Sequence, residues 1–132
     1  IGGEGNGGVI YPESHYGRDA LVGVGLFLSH FVAEGKSMTA LKATYPQYFI
    51  SKNKLTLSPD MDVDKILEGL KKKYASEEIT DIDGVKIDFK DGWVHLRKSN
   101  TEPIIRIYSE SKDEAAANQL AEDVIKVAKS LY

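Results

Sequence analysis

The sequence predicts an α+β fold: a four-stranded antiparallel sheet with two helices packed on one face over residues 36–132, preceded at 1–35 by a loop, an extended segment and a helix. Three observations carry this expectation. Val85, Ile87 and Phe89 alternate with Lys86, Asp88 and Lys90, the period-two pattern of a strand with one wet face. Asp91-Gly92 follows them and precedes a second alternating run, which signals a tight hairpin. Two segments, one with Val63, Ile66, Leu67, Leu70 and Tyr74 and one with Ala117, Leu120, Ala121, Val124, Val127, Ala128 and Leu131, repeat apolar residues at helical spacing. A sheet and two helices with one apolar face each bury them against one another.

In chain order, residues 2–8 form a glycine-dense loop, and Val9-Ile10-Tyr11-Pro12 continues it as an extended segment. Arg18 to Glu34 then reads as a helix apolar on nearly every face, which expects burial all round, and Gly35 ends it. Gly35–Lys36 is the expected domain boundary. Ser37 caps a short helix through Lys42 that Tyr45-Pro46 stops.

Tyr48 to Leu57 reads as a strand, and Ser58-Pro59-Asp60 leads into the first amphipathic helix. A two-residue loop at Asp91-Gly92 would pair Lys90 with Trp93, Ile87 with Leu96 and Lys86 with Arg97, separating an apolar face from a polar one. Ile104 to Ser109 continues the alternation, with Arg106 on the polar face beside Arg97. Ser111-Lys112-Asp113-Glu114 has the form of a capping box for the last helix.

Composition narrows the function. The 132 residues carry 17 Lys plus Arg against 20 Asp plus Glu, a net charge of -3, so no field attracts a polyanion and nucleic acid is not an expected partner. With no cysteine there is no disulfide, thiolate metal site or thiol nucleophile. The longest apolar stretch, Ala20 to Ala33, is too short to span a bilayer, so no membrane association is expected. The opening at Ile1, with neither initiator Met nor signal-peptide pattern, leads us to expect a piece of a longer chain.

Two loops carry chemistry. Gly3-Glu4-Gly5-Asn6-Gly7-Gly8 matches a dinucleotide-binding glycine pattern in letters alone, because that pattern needs a helix next and Pro12 blocks one. What remains is a carboxylate, Glu4, and an amide, Asn6, on a loop of little bulk, suited to gripping neighbouring hydroxyls of a sugar. A plain turn with an exposed Glu is the other reading. The second loop is Arg97-Lys98-Ser99-Asn100-Thr101-Glu102-Pro103, with Arg106 after it. Guanidinium forks bind phosphate bidentately, and hydroxyls with backbone N–H groups fill the remaining oxygens. A polar hairpin loop with surface charges is its plainer reading. Neither loop pairs a nucleophile with a base, so no catalytic residue and no metal ligand is assigned. His30 reads as a packed residue, His95 as an ion-pair partner of Asp88, and His15, near the first loop, as a candidate ligand contact.

These two loops, in this order, resemble the α-D-phosphohexomutase superfamily of phosphoglucomutase, phosphomannomutase and phosphoglucosamine mutase. The resemblance covers essentially the whole chain. Its third domain carries a G-E-x-S-G-H sugar loop and its fourth an R-x-S-N-T-E-P phosphate loop followed by Arg. The second motif is complete here, while Asn6 stands where the family has Ser and Gly8 where it has His. The resemblance implies that 1–35 is a remnant of the third, sugar-binding domain, a partial α/β domain, and 36–132 the phosphate-binding C-terminal domain. It implies an isomerase that interconverts hexose 1-phosphate and hexose 6-phosphate through a phosphoserine and a bisphosphorylated sugar.

It also implies roles for parts of this chain. Glu4 and Asn6 would meet sugar hydroxyls, and Arg97, Ser99, Asn100, Thr101 and Arg106 would hold the non-reacting phosphate. Hexose phosphate and hexose bisphosphate would be the ligands and the cytoplasm the compartment. Mg2+ would serve the full-length parent, held by an aspartate-rich loop of the second domain; neither that motif nor the phosphoserine motif occurs in this chain, which alone is expected to be inactive. Separately from those roles, the apolar helix Arg18 to Glu34, without the third-domain sheet that would cover it in the parent, would bury its stripe either on the C-terminal domain or against its copy in a homodimer. The dimer is favoured because the C-terminal sheet already has two helices for its apolar face. A stand-alone phosphate-binding or regulatory module is the alternative. Which hexose is preferred stays open.

Overall fold

The computed structural model describes residues 1–3 and 7–132. The chain forms two compact units, Ile1–Pro46 and Gln47–Tyr132. The short helix after Ser37 therefore falls in the first unit, packed with the helix before it.

In the first unit, β1 (Gly2–Gly3), β2 (Val9–Tyr11) and β3 (His15–Arg18) form a small antiparallel sheet. Helix α1 (Ala20–Glu34) starts two residues later than expected because Asp19 caps it, its side chain accepting from the amides of Leu21 and Val22. Gly35 ends α1 in the left-handed conformation, φ 61°, that favours glycine. Contrary to the expected all-round burial, α1 buries no residue: Leu21 is 84% and Val32 77% exposed. Helix α2 (Met38–Lys42) is capped by the Ser37 side chain and buries Leu41.

The second unit is one antiparallel sheet of five strands, not four, in the order β4 (Phe49–Thr56), β8 (Ile104–Ser111), β7 (Gly92–Lys98), β6 (Val85–Phe89), β5 (Glu78–Thr80). The extra strand is β5, whose Ile79 sits opposite Ile87. Helices α3 (Val63–Lys73) and α4 (Glu114–Lys129) complete the unit. Asp62 caps α3, and the charge of Lys71, Lys72 and Lys73 in its last turn complements the helix dipole. Asp113 caps α4 in place of the expected Ser111, which is taken up in β8 and donates its hydroxyl to the Asp91 carbonyl at 2.7 Å.

The core lies between the sheet and these two helices, where Leu55, Ile66, Leu70, Val94, Leu96, Ile105, Ile107, Val124 and Ala128 are buried together. Tyr74 closes one end, edge-on to Phe89 with centroids 5.6 Å apart.

The hairpin differs from expectation in a way that matters for the polar face. Phe89 pairs with Gly92, Ile87 with Val94 and Lys86 with His95, so the turn is Lys90-Asp91 rather than Asp91-Gly92. Gly92 does not supply a positive φ. It is a strand residue whose missing side chain admits the Glu110 carbonyl, which would stand 2.2 Å from a Cβ there. The slip is two residues, so every side chain keeps its face and only its cross-strand neighbour changes.

Candidate phosphate site

Alternation along β4, β8 and β7 puts Lys54, Arg106 and Arg97 on the face away from the core. The register then sets Lys54 opposite Arg106 and Arg106 opposite Arg97. Three cations thus cross three neighbouring strands in one row. Lys86, expected opposite Arg97, lies opposite His95 instead, paired with Asp88 and with its ammonium 5.6 Å from the Trp93 ring centroid. His95 approaches the Asp83 carbonyl oxygen at 2.6 Å rather than Asp88.

Beside the row of cations, the chain turns from β7 to β8 through residues 99–103. The Ser99 amide donates to the Ile104 carbonyl at 3.0 Å, the Ile104 amide to Glu102 at 2.8 Å, and the Leu57 amide to Pro103 at 2.9 Å. These bonds pin both ends of the loop to the sheet. Ser99 is the buried member, and its hydroxyl accepts from the Thr101 amide at 3.4 Å, whereas Asn100 and Thr101 are exposed. Arg97 Nη1 donates to Asp83 at 2.9 Å and Arg106 Nη2 to Glu102 at 3.4 Å. The Asp83 hydrogen bond holds the Arg97 guanidinium further above its ordinary range, so it stays cationic throughout.

Arg97, Lys98, Ser99, Asn100, Thr101 and Arg106 line one cavity of about 260 Å³ together with Asp83. Every expected phosphate-site residue is in it. The walls offer two planar cation forks, an ammonium, two hydroxyls and an amide, a donor-rich set that fits a compact oxyanion. Asp83 was missed because it stands in the turn before β6, far from the motif in sequence. No spacing rule points to it.

The other expected residues are placed differently. Glu4 and Asn6 lie outside the described residues. His15 accepts the Gly17 amide on Nδ1 at 3.0 Å, and its Nε2 lies 2.9 Å from the Asp19 carboxylate, to which it can only donate. His30 is exposed rather than packed, stacked on Tyr45 with Nε2 3.0 Å from its hydroxyl.

The family described as "Phosphoglucomutase/phosphomannomutase, C-terminal domain" matches residues 53–127, more than half of the chain and all of the phosphate loop. The chain belongs to this family. Over 129 residues it is 42% identical to a phosphoglucomutase/phosphomannomutase of Thermococcus kodakarensis, covering 96% of this chain and 28% of the relative. It is 40% identical over 126 residues to a phosphoglucosamine/phosphogalactosamine mutase of Sulfurisphaera tokodaii, covering 94% and 28%. A solved phosphoglucomutase/phosphomannomutase family protein from Burkholderia thailandensis superposes with a TM-score of 0.69 at 26% identity, covering 98% of this chain and 28% of that one. This phosphohexomutase domain therefore spans about 28% of the length of the relatives it matches. Among the described residues no helix is long and apolar enough to cross a membrane.

Proposed function

We infer that this chain supplies the phosphate anchor of a phosphohexomutase, holding the phosphate of a hexose phosphate or hexose bisphosphate that is not reacting. The carrying observation is the convergence of Arg97, Ser99, Asn100, Thr101 and Arg106 on one cavity, with the loop tied to the sheet at both ends. A pinned loop holds its donors in place before the ligand arrives, so little ordering accompanies binding. Anchoring a remote phosphate orients the reacting one and turns binding energy into rate. The Glu4 and Asn6 loop would grip sugar hydroxyls in the same enzyme, with 1–35 as the remnant of its sugar-binding domain.

The chemistry of transfer lies with the parent's phosphoserine, by resemblance. Mg2+ would belong with it, held by the parent's aspartate-rich loop, by the same resemblance. The cytoplasm suits such a substrate, because an ionised sugar phosphate does not cross a bilayer unaided.

Titrating glucose 1-phosphate into the 15N-labelled chain tests the reading. Shifts should concentrate on residues 97–106, and Arg97→Ala should weaken binding roughly tenfold, as loss of a charge-assisted bond requires. Equal binding by Arg97→Ala would refute it. The same preparation should not interconvert the 1- and 6-phosphates, and measurable turnover would overturn the division of labour.

A further inference from the structure

We propose that Asp83 is a positioning residue for Arg97, setting the guanidinium at the angle in which it receives phosphate; this rests on the phosphate-anchor reading above. Asp83 is 14 residues from Arg97 in sequence and carried on another turn, yet it lines the same cavity. Three attachments fix it there. Its Oδ2 accepts from Arg97 Nη1 at 2.9 Å. Its carbonyl oxygen is 2.6 Å from His95 Nε2, and since a carbonyl only accepts, that ring nitrogen carries the proton. Its neighbour Gly84 has φ +79°, and a Cβ on it would stand 2.1 Å from the Leu96 carbonyl and 3.0 Å from Arg97 Cα. The turn therefore lies flat on the β7 backbone at the residue that bears the guanidinium.

An exposed ion pair contributes little to stability, and here both side chains are about half exposed or more, 48% for Arg97 and 64% for Asp83. Its consequence is geometric. An untied arginine must be ordered at every binding event, whereas Asp83 occupies one of five N–H donors and leaves the others oriented. A carboxylate also repels an incoming phosphate. Solvent screens that repulsion, and the bonded guanidinium already neutralises the charge, so orientation outweighs it.

The test compares Asp83→Ala, which removes the acceptor, with Asp83→Asn, which keeps an acceptor oxygen without the charge, in the full chain titrated with inorganic phosphate. Asp83→Ala should weaken binding five- to tenfold and Asp83→Asn should return to within about twofold of the parent. The Arg97 Nε–Hε resonance should be sharp in the parent and Asp83→Asn, and averaged in Asp83→Ala, with the backbone amides of the core unmoved. A purely structural role would not move that signal alone. Wild-type or tighter binding by Asp83→Ala, or equal losses in both variants, overturns the proposal. If Arg97→Ala abolishes binding while Asp83→Ala does not, the positioning role falls and the phosphate site stands; if neither variant matters, both fall.

Discussion

Ser109 donates its hydroxyl to the Ala117 carbonyl at 2.7 Å, a bond between strand β8 and helix α4 made where Ser109 is fully buried. It fixes where the helix lies along the strand in a core otherwise held by nondirectional apolar contacts. Ser109→Ala should lower stability by about 1 kcal/mol, the net worth of an ordinary internal hydrogen bond. Urea unfolding reads this as a lower midpoint with unchanged slope. An unchanged midpoint would show that this bond does not help to seat α4.

Gly92 yields a second expectation. Because a Cβ there would meet the Glu110 carbonyl at 2.2 Å, Gly92→Ala forces β7 and β8 apart and should cost about 1–3 kcal/mol. Asp91→Asn, in the turn itself, should stay within about 0.5 kcal/mol. The reverse order would return the governing role to the turn.

These two glycine and serine positions mark where the sequence was legible and where it was not. Alternation fixed which faces of β6, β7 and β8 are apolar, and helical spacing fixed α3 and α4, because those signals come from burial itself. Asp91-Gly92 misled by two residues, since a glycine needed for close backbone approach is written like one needed for a positive φ. Ser111 misled similarly, its capping pattern overridden by its place in β8. Strand β5 escaped notice because Glu78-Ile79-Thr80 offers one apolar residue and no run. The phosphate site was legible through its contiguous motif, whereas Asp83 reaches it only through the turn before β6.

Asp62 gives the fold a pH dependence. Its carboxyl is held below the usual range, first by the Lys65 amide and further by the Lys65 ammonium and the Asp64 amide, with desolvation acting the other way. The folded pKa is thus below the unfolded one. Its contribution is complete above the unfolded value near 4 and is lost as pH falls through the folded value. The Lys65 amide should lose protection from exchange below about pH 4, and Asp62→Asn should flatten that profile. Equal acid sensitivity in both proteins would exclude the cap as its source.

Helix α1 makes an expectation about association. Leu21, Val24, Leu28 and Val32 are all exposed, by 84, 54, 50 and 77%, at spacings that form one stripe. No Lys, Arg, Asp or Glu occurs from Ala20 through Ala33, so two copies can face each other without like-charge repulsion. A self-complementary pair along this seam, about 17 Å long, would take the stripe out of water. Sedimentation equilibrium of the chain should find a dimer at micromolar concentration, and Leu28→Glu should dissociate it. A monomer at those concentrations would sink the idea.

The strand order has a consequence in time. Strands β5 to β8 are each neighbour to the next in sequence, but β4 pairs with β8 across the whole of α3 and the meander. Closing that long loop costs chain entropy before any contact rewards it, so the meander should assemble first and β4 join late. Val94→Ala should then slow refolding, while Leu55→Ala should chiefly speed unfolding. On that order the row Lys54–Arg106–Arg97 is completed in the last step, and the half-built sheet carries its two arginines side by side before the third cation arrives.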